Sequence, residues 1–323
     1  MYLSPPLAAL RLTRTYPCIR VDERVTIATR SSYISLGYKG NYPFIKVAVE
    51  GGLEPSALMC ARAAIAAVLL LAYVCVTLGP GRAFAELRAS FRRWAVLGVV
   101  GNAVPFWLVA WGEKHIDSGI AAIAQATVPL FTVLLGLRLL PQATLGRTRL
   151  AGFGLGLVGV AILAGGDPAG GTWAAIGILA VVLSSLAYAT GNVIGQRSVT
   201  SAAGPVLAAG AMVSATVTLA PFALLQLPER APDGDAILSL LALAVLGTAV
   251  AQLVLYRMLR LFDGRRVSLV TYLMPGFALV YGAVLLDEEI TSAALAGLAL
   301  ILAGVALGSG ALRGRIPPRG VTP

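Results

Sequence analysis

The chain has 323 residues, 58% of them hydrophobic and only 12% charged, with a mean hydropathy of +0.83. That composition excludes an ordinary soluble domain and places the protein in a bilayer. The net charge of +10 does not indicate nucleic acid, because the Arg and Lys residues fall in breaks between apolar runs and do not gather on one groove-facing element.

Residues 1–40 differ in character from the rest of the chain. Arg11, Arg14, Arg20, Arg24, Arg30 and Lys39 interrupt them, so no stretch of about 20 apolar residues is available to cross a membrane. No signal peptide is readable, and a misplaced start or shifted reading frame accounts for the segment better than a transit peptide. The expectation is an atypical, poorly ordered N-terminal segment over 1–40, a first repeat over 41–166, a second over 173–311 and a cytoplasmic tail over 312–323.

Pro55 to Leu78 is the first full apolar span, and it contains Arg62. A charge inside a span either faces a cavity or snorkels to the interface, and the sequence leaves both readings open. Of the three cysteines, Cys60 and Cys75 lie on this helix, about 22 Å apart at 1.5 Å per residue, and cannot pair. With Cys18 they give neither a disulfide framework nor metal-ligand spacing. No cofactor or metal is implied.

Further spans are predicted at 94–112, 118–139, 150–166, 173–193, 204–227, 236–258, 266–286 and 293–311. With a degenerate or incomplete first helix these make ten. Several carry polar groups at similar depth: Asn102 and Trp107, then Gln125 and Thr127, then Tyr188 and Asn192, then Thr248, Gln252 and Tyr256, then Thr271 and Tyr272. Pro129 and Pro275 sit mid-span. Each lacks an N–H and displaces the preceding turn, so the carbonyls of Gln125 and Thr271 lose their helical partners. Such carbonyls are tolerated in a membrane where they line a cavity or meet a polar side chain. The alternative is a pair of packing kinks with no ligand.

Loop charge orients the chain. Arg82, Arg88, Arg92 and Arg93 follow the second span, Arg138, Arg147 and Arg149 the fourth, and Arg197 the sixth. Arg257, Arg260, Arg265 and Arg266 follow or end the eighth, and Arg313, Arg315 and Arg319 the tenth. The opposite loops hold only Lys114 and Arg230. Basic loops mark the cytoplasmic side, which places the C-terminus there.

The chain also repeats itself. At a shift of 146, Gly101, Ala103, Pro129 and Gly136 fall on Gly247, Ala249, Pro275 and Gly282; at 145, Gly152 and Gly159 fall on Gly297 and Gly304. Five spans per unit is an odd number, so successive units enter the membrane from opposite faces. That is the inverted repeat of secondary transporters, all α-helical, with a site between the halves. The glycines of the fifth and tenth spans allow close helix approach, either to each other or to a second copy of the chain as a homodimer.

The second repeat contains Leu255-Tyr256-Arg257, Gly264, Ser268 to Leu273, Pro275, Gly282, and Glu288 or Glu289 before Thr291, and the first repeat contains Asn41, Lys46, Arg62 and Ala126 to Phe131. On these residues the chain, from Asn41 to about Leu307, resembles the EamA-like branch of the drug/metabolite transporter superfamily. The family's apolar first helix is replaced here by Ser31 to Gly40, and its Gly-Glu at the end of the fourth helix by Gly136-Leu137-Arg138. The resemblance implies a cavity bounded by the first, third, fourth, sixth, eighth and ninth helices.

The expected function is therefore inner-membrane transport, with export of a small polar or amino-acid-like solute by alternating access. Asn102, Gln125, Thr127, Tyr188, Asn192, Gln252, Tyr256, Thr271 and Tyr272 are the candidate contacts, and Pro129 and Pro275 the helix breaks. No Asp or Glu lies within the clear apolar runs, and His115 falls in a loop beside Glu113, Lys114 and Asp117. A proton relay, an intramembrane hydrolase and a metalloprotease all lack their parts, so an enzyme is not expected. The rival readings are a lipid-handling or structural subunit with no aqueous path, and an inactive remnant.

Overall fold

The computed structural model describes residues 41–139, 147–165, 171–200, 202–226, 231–261 and 290–309. Every regular element among them is helical. The atypical segment 1–40, the ninth span with Thr271, Tyr272 and Pro275, and the tail from 310 lie outside the described residues.

In chain order the elements are α1 (Asn41–Glu50), α2 (Pro55–Leu78), α3 (Pro80–Ala89) and α4 (Phe91–Gly98). A π-helical turn, π1 (Val99–Ala103), joins α4 to α5 (Val104–Gly112). Next come α6 (Ser118–Gln125), α7 (Val128–Leu139), α8 (Arg147–Gly165), α9 (Gly171–Ser198) and α10 (Gly204–Leu225). A second π-turn, π2 (Val245–Val250), joins α11 (Gly234–Ala244) to α12 (Ala251–Leu261), and α13 (Ser292–Ser309) closes the series.

Local chemistry sets the helix starts. Pro55 and Pro205 stand in the first turns of α2 and α10, where a missing N–H costs nothing. Asp233 caps α11, its Oδ1 accepting from the Ala236 N–H at 2.8 Å. Among the described residues, five helices are long and apolar enough to cross a membrane: Pro55–Leu78, Phe91–Gly112, Gly171–Ser198, Gly204–Leu225 and Gly234–Met258. Shorter apolar helices lie at Ser118–Thr132, Leu150–Ala164 and Ser292–Leu307. Exposed Val68, Leu69, Val76, Val217, Leu224 and Leu225 form the outward apolar surface that a bilayer requires.

Repeat-related helices run antiparallel. Ser56, at the start of α2, donates to the side-chain carbonyl of Gln226, at the end of α10, at 2.7 Å. The fifth and tenth spans, α8 and α13, show the same relation more closely. A Cβ added at Gly159 would lie 2.8 Å from the Gly297 carbonyl oxygen, and one at Gly304 would lie 2.5 Å from the Gly152 carbonyl oxygen. Since Gly152 corresponds to Gly297 and Gly159 to Gly304, the two contacts exchange under one twofold operation. This is the inverted repeat in coordinates, and it spends these glycines on an interface within one chain. Gly304→Val is expected to force α8 and α13 apart at the cost of overpacking, about 1–3 kcal/mol; thermal unfolding in detergent would record it as a lowered Tm.

Candidate functional site

The two π-turns occupy equivalent places in the two repeats, 146 residues apart. Each contains the repeated glycine followed by a polar residue, Gly101-Asn102 and Gly247-Thr248. Asn102 Nδ2 donates to the Leu97 carbonyl at 3.0 Å, and Thr248 Oγ1 donates to the Leu243 carbonyl at 2.8 Å. Leu97 and Leu243 also correspond, so both side chains reach back five residues in the same way. π-turns inserted in α-helices recur at functional sites because they displace the helix ladder locally.

The first turn is tied to the helix that follows the second. Gln252, in the first turn of α12, donates from Nε2 to Asn102 Oδ1 at 2.5 Å, a bond spanning 150 residues of sequence. Both side chains are buried. On the other side of π2, Arg62 donates from Nε to Thr248 Oγ1 at 2.6 Å and from Nη2 to the Gly247 carbonyl at 3.3 Å. Its guanidinium carbon lies 4.4 Å from the centroid of Phe106, and the Phe106 ring is 6.4 Å from that of Tyr188.

Arg62 is only 3% exposed, which overturns snorkelling. The side chain turns inward, where π2 offers it a carbonyl and a hydroxyl. A buried cation with hydrogen-bond acceptors and an aromatic face has replaced part of its hydration shell.

A second polar group lies beside the break in the fourth span. Helix α6 ends at Gln125 and α7 begins at Val128, so Pro129 stands in the first turn of a new helix. The chain closes the break with short-range bonds: Ala126 N–H to the Ile123 carbonyl and Thr127 N–H to the Ala124 carbonyl, at 3.0 and 3.2 Å. Thr127 Oγ1 donates to the Ala124 carbonyl at 2.8 Å, and Ser185 Oγ reaches the same oxygen at 3.5 Å. Ser184 Oγ donates to the Gln125 side-chain carbonyl at 2.9 Å. Residues 121–130 are all buried, so this break faces the protein interior.

Helix α9 connects the two groups. Ser184, Tyr188 and Gly191 follow at helical spacing on one face, and Gly191 packs against Gly101 of π1 so closely that an added Cβ would lie 2.6 Å from Gly101 Cα. Asn192 is half-buried on the same helix. Tyr256 is buried one turn beyond Gln252, where Gly204 at the start of α10 makes room for it. The candidate residues thus fall into a bridge (Asn102, Gln252), a break (Gln125, Thr127, Pro129) and a connecting face (Tyr188, Asn192), with Tyr256 toward one end.

Sequence reasoning passed over Ser56, Ser184 and Ser185. In a helix a serine commonly bonds its own preceding turn, and Ser184 and Ser185 share their single hydroxyl protons between the Val181 carbonyl and an oxygen beside the break, so residue type alone gives no sign of a second partner.

The face opposite the loop arginines carries two ion pairs and an indole–hydroxyl bond. Lys46 pairs with Asp117 at 3.0 Å and Lys114 with Glu54 at 2.6 Å, while Trp107 Nε1 donates to Ser56 Oγ at 3.1 Å. Rings continue outward from there: Trp107 and Trp111 are 6.4 Å apart, Trp111 and His115 4.7 Å, and His115 and Trp173 5.3 Å. Glu113, which the sequence places in a polar loop, is buried at the end of α5.

Known membrane proteins resemble the chain over most of its length. It is 27% identical over 261 residues to a probable amino-acid metabolite efflux pump of Salmonella typhimurium, covering 78% of this chain and 79% of that protein. It is 29% identical over 273 residues to an uncharacterized inner membrane transporter of Escherichia coli K12, covering 82% and 85%. A crystal structure at 21% identity superposes with a TM-score of 0.65 over 90% of this chain and 98% of that one, a likeness of fold alone. Residues 34–165 and 175–309 each match the EamA-like transporter family. Two matches in tandem, over helices of spanning length related by inversion, make the chain a multi-pass membrane transporter that belongs to the EamA-like transporter family.

Proposed function

We propose that this transporter exports a small polar, amino-acid-like solute by alternating access about the Asn102–Gln252 bridge. The observation that carries the reading is the buried hydrogen bond by which Gln252, two residues after the second π-turn, reaches Asn102 within the first. The bond itself is made of two amides, which can address both the ammonium and the carboxylate oxygens of an amino acid, and Arg62, bonded to π2, is a guanidinium that suits a carboxylate. The relation to a protein named as an amino-acid metabolite efflux pump supports the same class of solute.

In this reading Asn102, Gln125, Thr127, Tyr188, Asn192, Gln252 and Tyr256 contact the solute, together with Thr271 and Tyr272. The ion pairs Lys46–Asp117 and Lys114–Glu54 part when the solute leaves. Being solvent-accessible, such pairs are worth about 1 kcal/mol or less each, a barrier small enough to open repeatedly. The arginine-bearing loops and the C-terminus lie in the cytoplasm.

Uptake of labelled amino acids into inside-out vesicles tests the reading. At least one amino acid should accumulate above empty vesicles, and the double variant Asn102→Leu with Gln252→Leu should lower the rate by about tenfold, the worth of one buried hydrogen bond. Absence of flux for every amino acid, with folded protein present in the vesicles, would overturn it.

A further inference from the structure

The link between α2 and α4 is a built elbow. Gly79, at φ 80°, turns the chain out of α2 in a conformation that favours glycine, and Pro80 opens α3 at once. Ala83 and Leu87 pack back onto the bundle. Ser90 Oγ donates to the Glu86 carbonyl at the end of α3. Trp94 Nε1 donates to the Leu87 carbonyl at 2.8 Å, and the Phe91 ring stands edge-on to Trp94 with centroids 4.8 Å apart. The Trp94 ring lies on Gly210 of α10, where a side chain would collide with it. The elbow is therefore fixed to the transporter body.

Its outer surface is charged and aromatic together. Arg82, Arg88, Arg92 and Arg93 are all exposed, and among the described residues none of the four pairs with a carboxylate. Phe84 is 69% exposed and Phe91 56%. Phe84 and Arg88, four residues apart, share one face of α3. The elbow follows directly on the last turns of α2, whose exposed Val68, Leu69 and Val76 mark its lipid-facing side. The elbow thus stands at the height where the apolar band ends and headgroups begin.

We propose that this elbow is a binding site for anionic phospholipid of the adjoining leaflet. The arginines hold the phosphodiester and Phe84 and Phe91 enter the interfacial layer beneath it. A guanidinium presents forked donors that suit phosphate oxygens, and amphipathic segments that combine basic and aromatic residues lie in this layer. A soluble anion would use the arginines but leave both rings in water. The rings are continuous with a surface already facing lipid, and this selects the membrane as partner.

The purified full-length protein in nanodiscs of phosphatidylcholine with graded phosphatidylglycerol provides the test, with retained lipids counted by native mass spectrometry. Wild type should retain phosphatidylglycerol over phosphatidylcholine by roughly tenfold or more, given the attraction of each basic residue near an anionic surface. That preference should collapse in about 1 M NaCl, where screening is nearly complete. The combined variant R82Q/R88Q/R92Q/R93Q should lose the preference while keeping the wild-type Tm in pure phosphatidylcholine. Equal retention of the two lipids by wild type, or a preference indifferent to salt, would overturn the proposal without recourse to any variant. So would stabilisation by glycerol phosphate in pure phosphatidylcholine equal to that by phosphatidylglycerol, which would assign the site to a soluble anion.

Discussion

Arg62→Ala is expected to abolish transport and to lower the Tm by roughly 5 °C or more. The contacts that disappear together include the bond to Thr248 Oγ1, the bond to the Gly247 carbonyl, the contact with Met59 Sδ and the face-on contact with Phe106. Buried hydrogen bonds to a charged group are worth about 1.5–3 kcal/mol each. Leaving the buried π-turn carbonyl without its donor adds a desolvation cost. The Tm shift follows from a total of about 3 kcal/mol, at a few degrees per kcal/mol for a protein of this size. Arg62→Lys keeps the charge but has no fork, so it cannot reach Thr248 and Gly247 at once; its transport and Tm should fall between wild type and Arg62→Ala. Vesicle uptake and thermal unfolding check both. If Arg62→Ala transported and melted like wild type, the guanidinium would have no part in holding π2.

Gly191→Leu should be as damaging by the opposite route. At Gly191 backbone meets backbone: the nearest atom to an added Cβ is the Gly101 α-carbon, with the Gly101 nitrogen at 3.5 Å. Neither can yield as a flexible side chain would, so α9 must move off π1. Overpacking of this kind costs about 1–3 kcal/mol in a dense core. Here it also shifts Asn102, the next residue in π1, away from Gln252. The expected result is loss of transport and a reduced yield of folded protein. Gly154→Leu is the control, because nothing lies within 4 Å of a Cβ there; it should express and transport normally. Equal behaviour of the two variants would remove the close contact from the account.

Much of this architecture was legible in the sequence because close helix packing constrains residue size at fixed intervals. Gly152, Gly159, Gly297 and Gly304 could be matched across the repeats from sequence, and their contacts in the structure exchange under the same symmetry. The pairing of Gly101-Asn102 with Gly247-Thr248 was equally visible. Its expression as two π-turns was not, since one surplus residue in a helix leaves no compositional trace.

Arg62 shows where such reasoning stops. Its partner Thr248 is 186 residues away, and only the rotation of α2 about its own axis decides between that partner and the membrane surface. The serines of α9 were hidden for a related reason: their bonds to Gln125 and Ala124 depend on which side of the helix meets the break. Lys46 and Asp117 were each visible as charges at span ends, but their pairing needs the first and fourth spans to be neighbours.

The paired π-turns also alter which side chains look inward. One additional residue in a helix advances everything beyond it by about 100°. In the third and eighth spans, the stripe facing the centre before the turn is therefore a different stripe from the one facing it afterwards. An unbroken helix of the same sequence would swing Phe106 out of line with Arg62. Inserting or deleting a single amino acid there would act on a whole half-helix, like re-indexing a gear by one tooth.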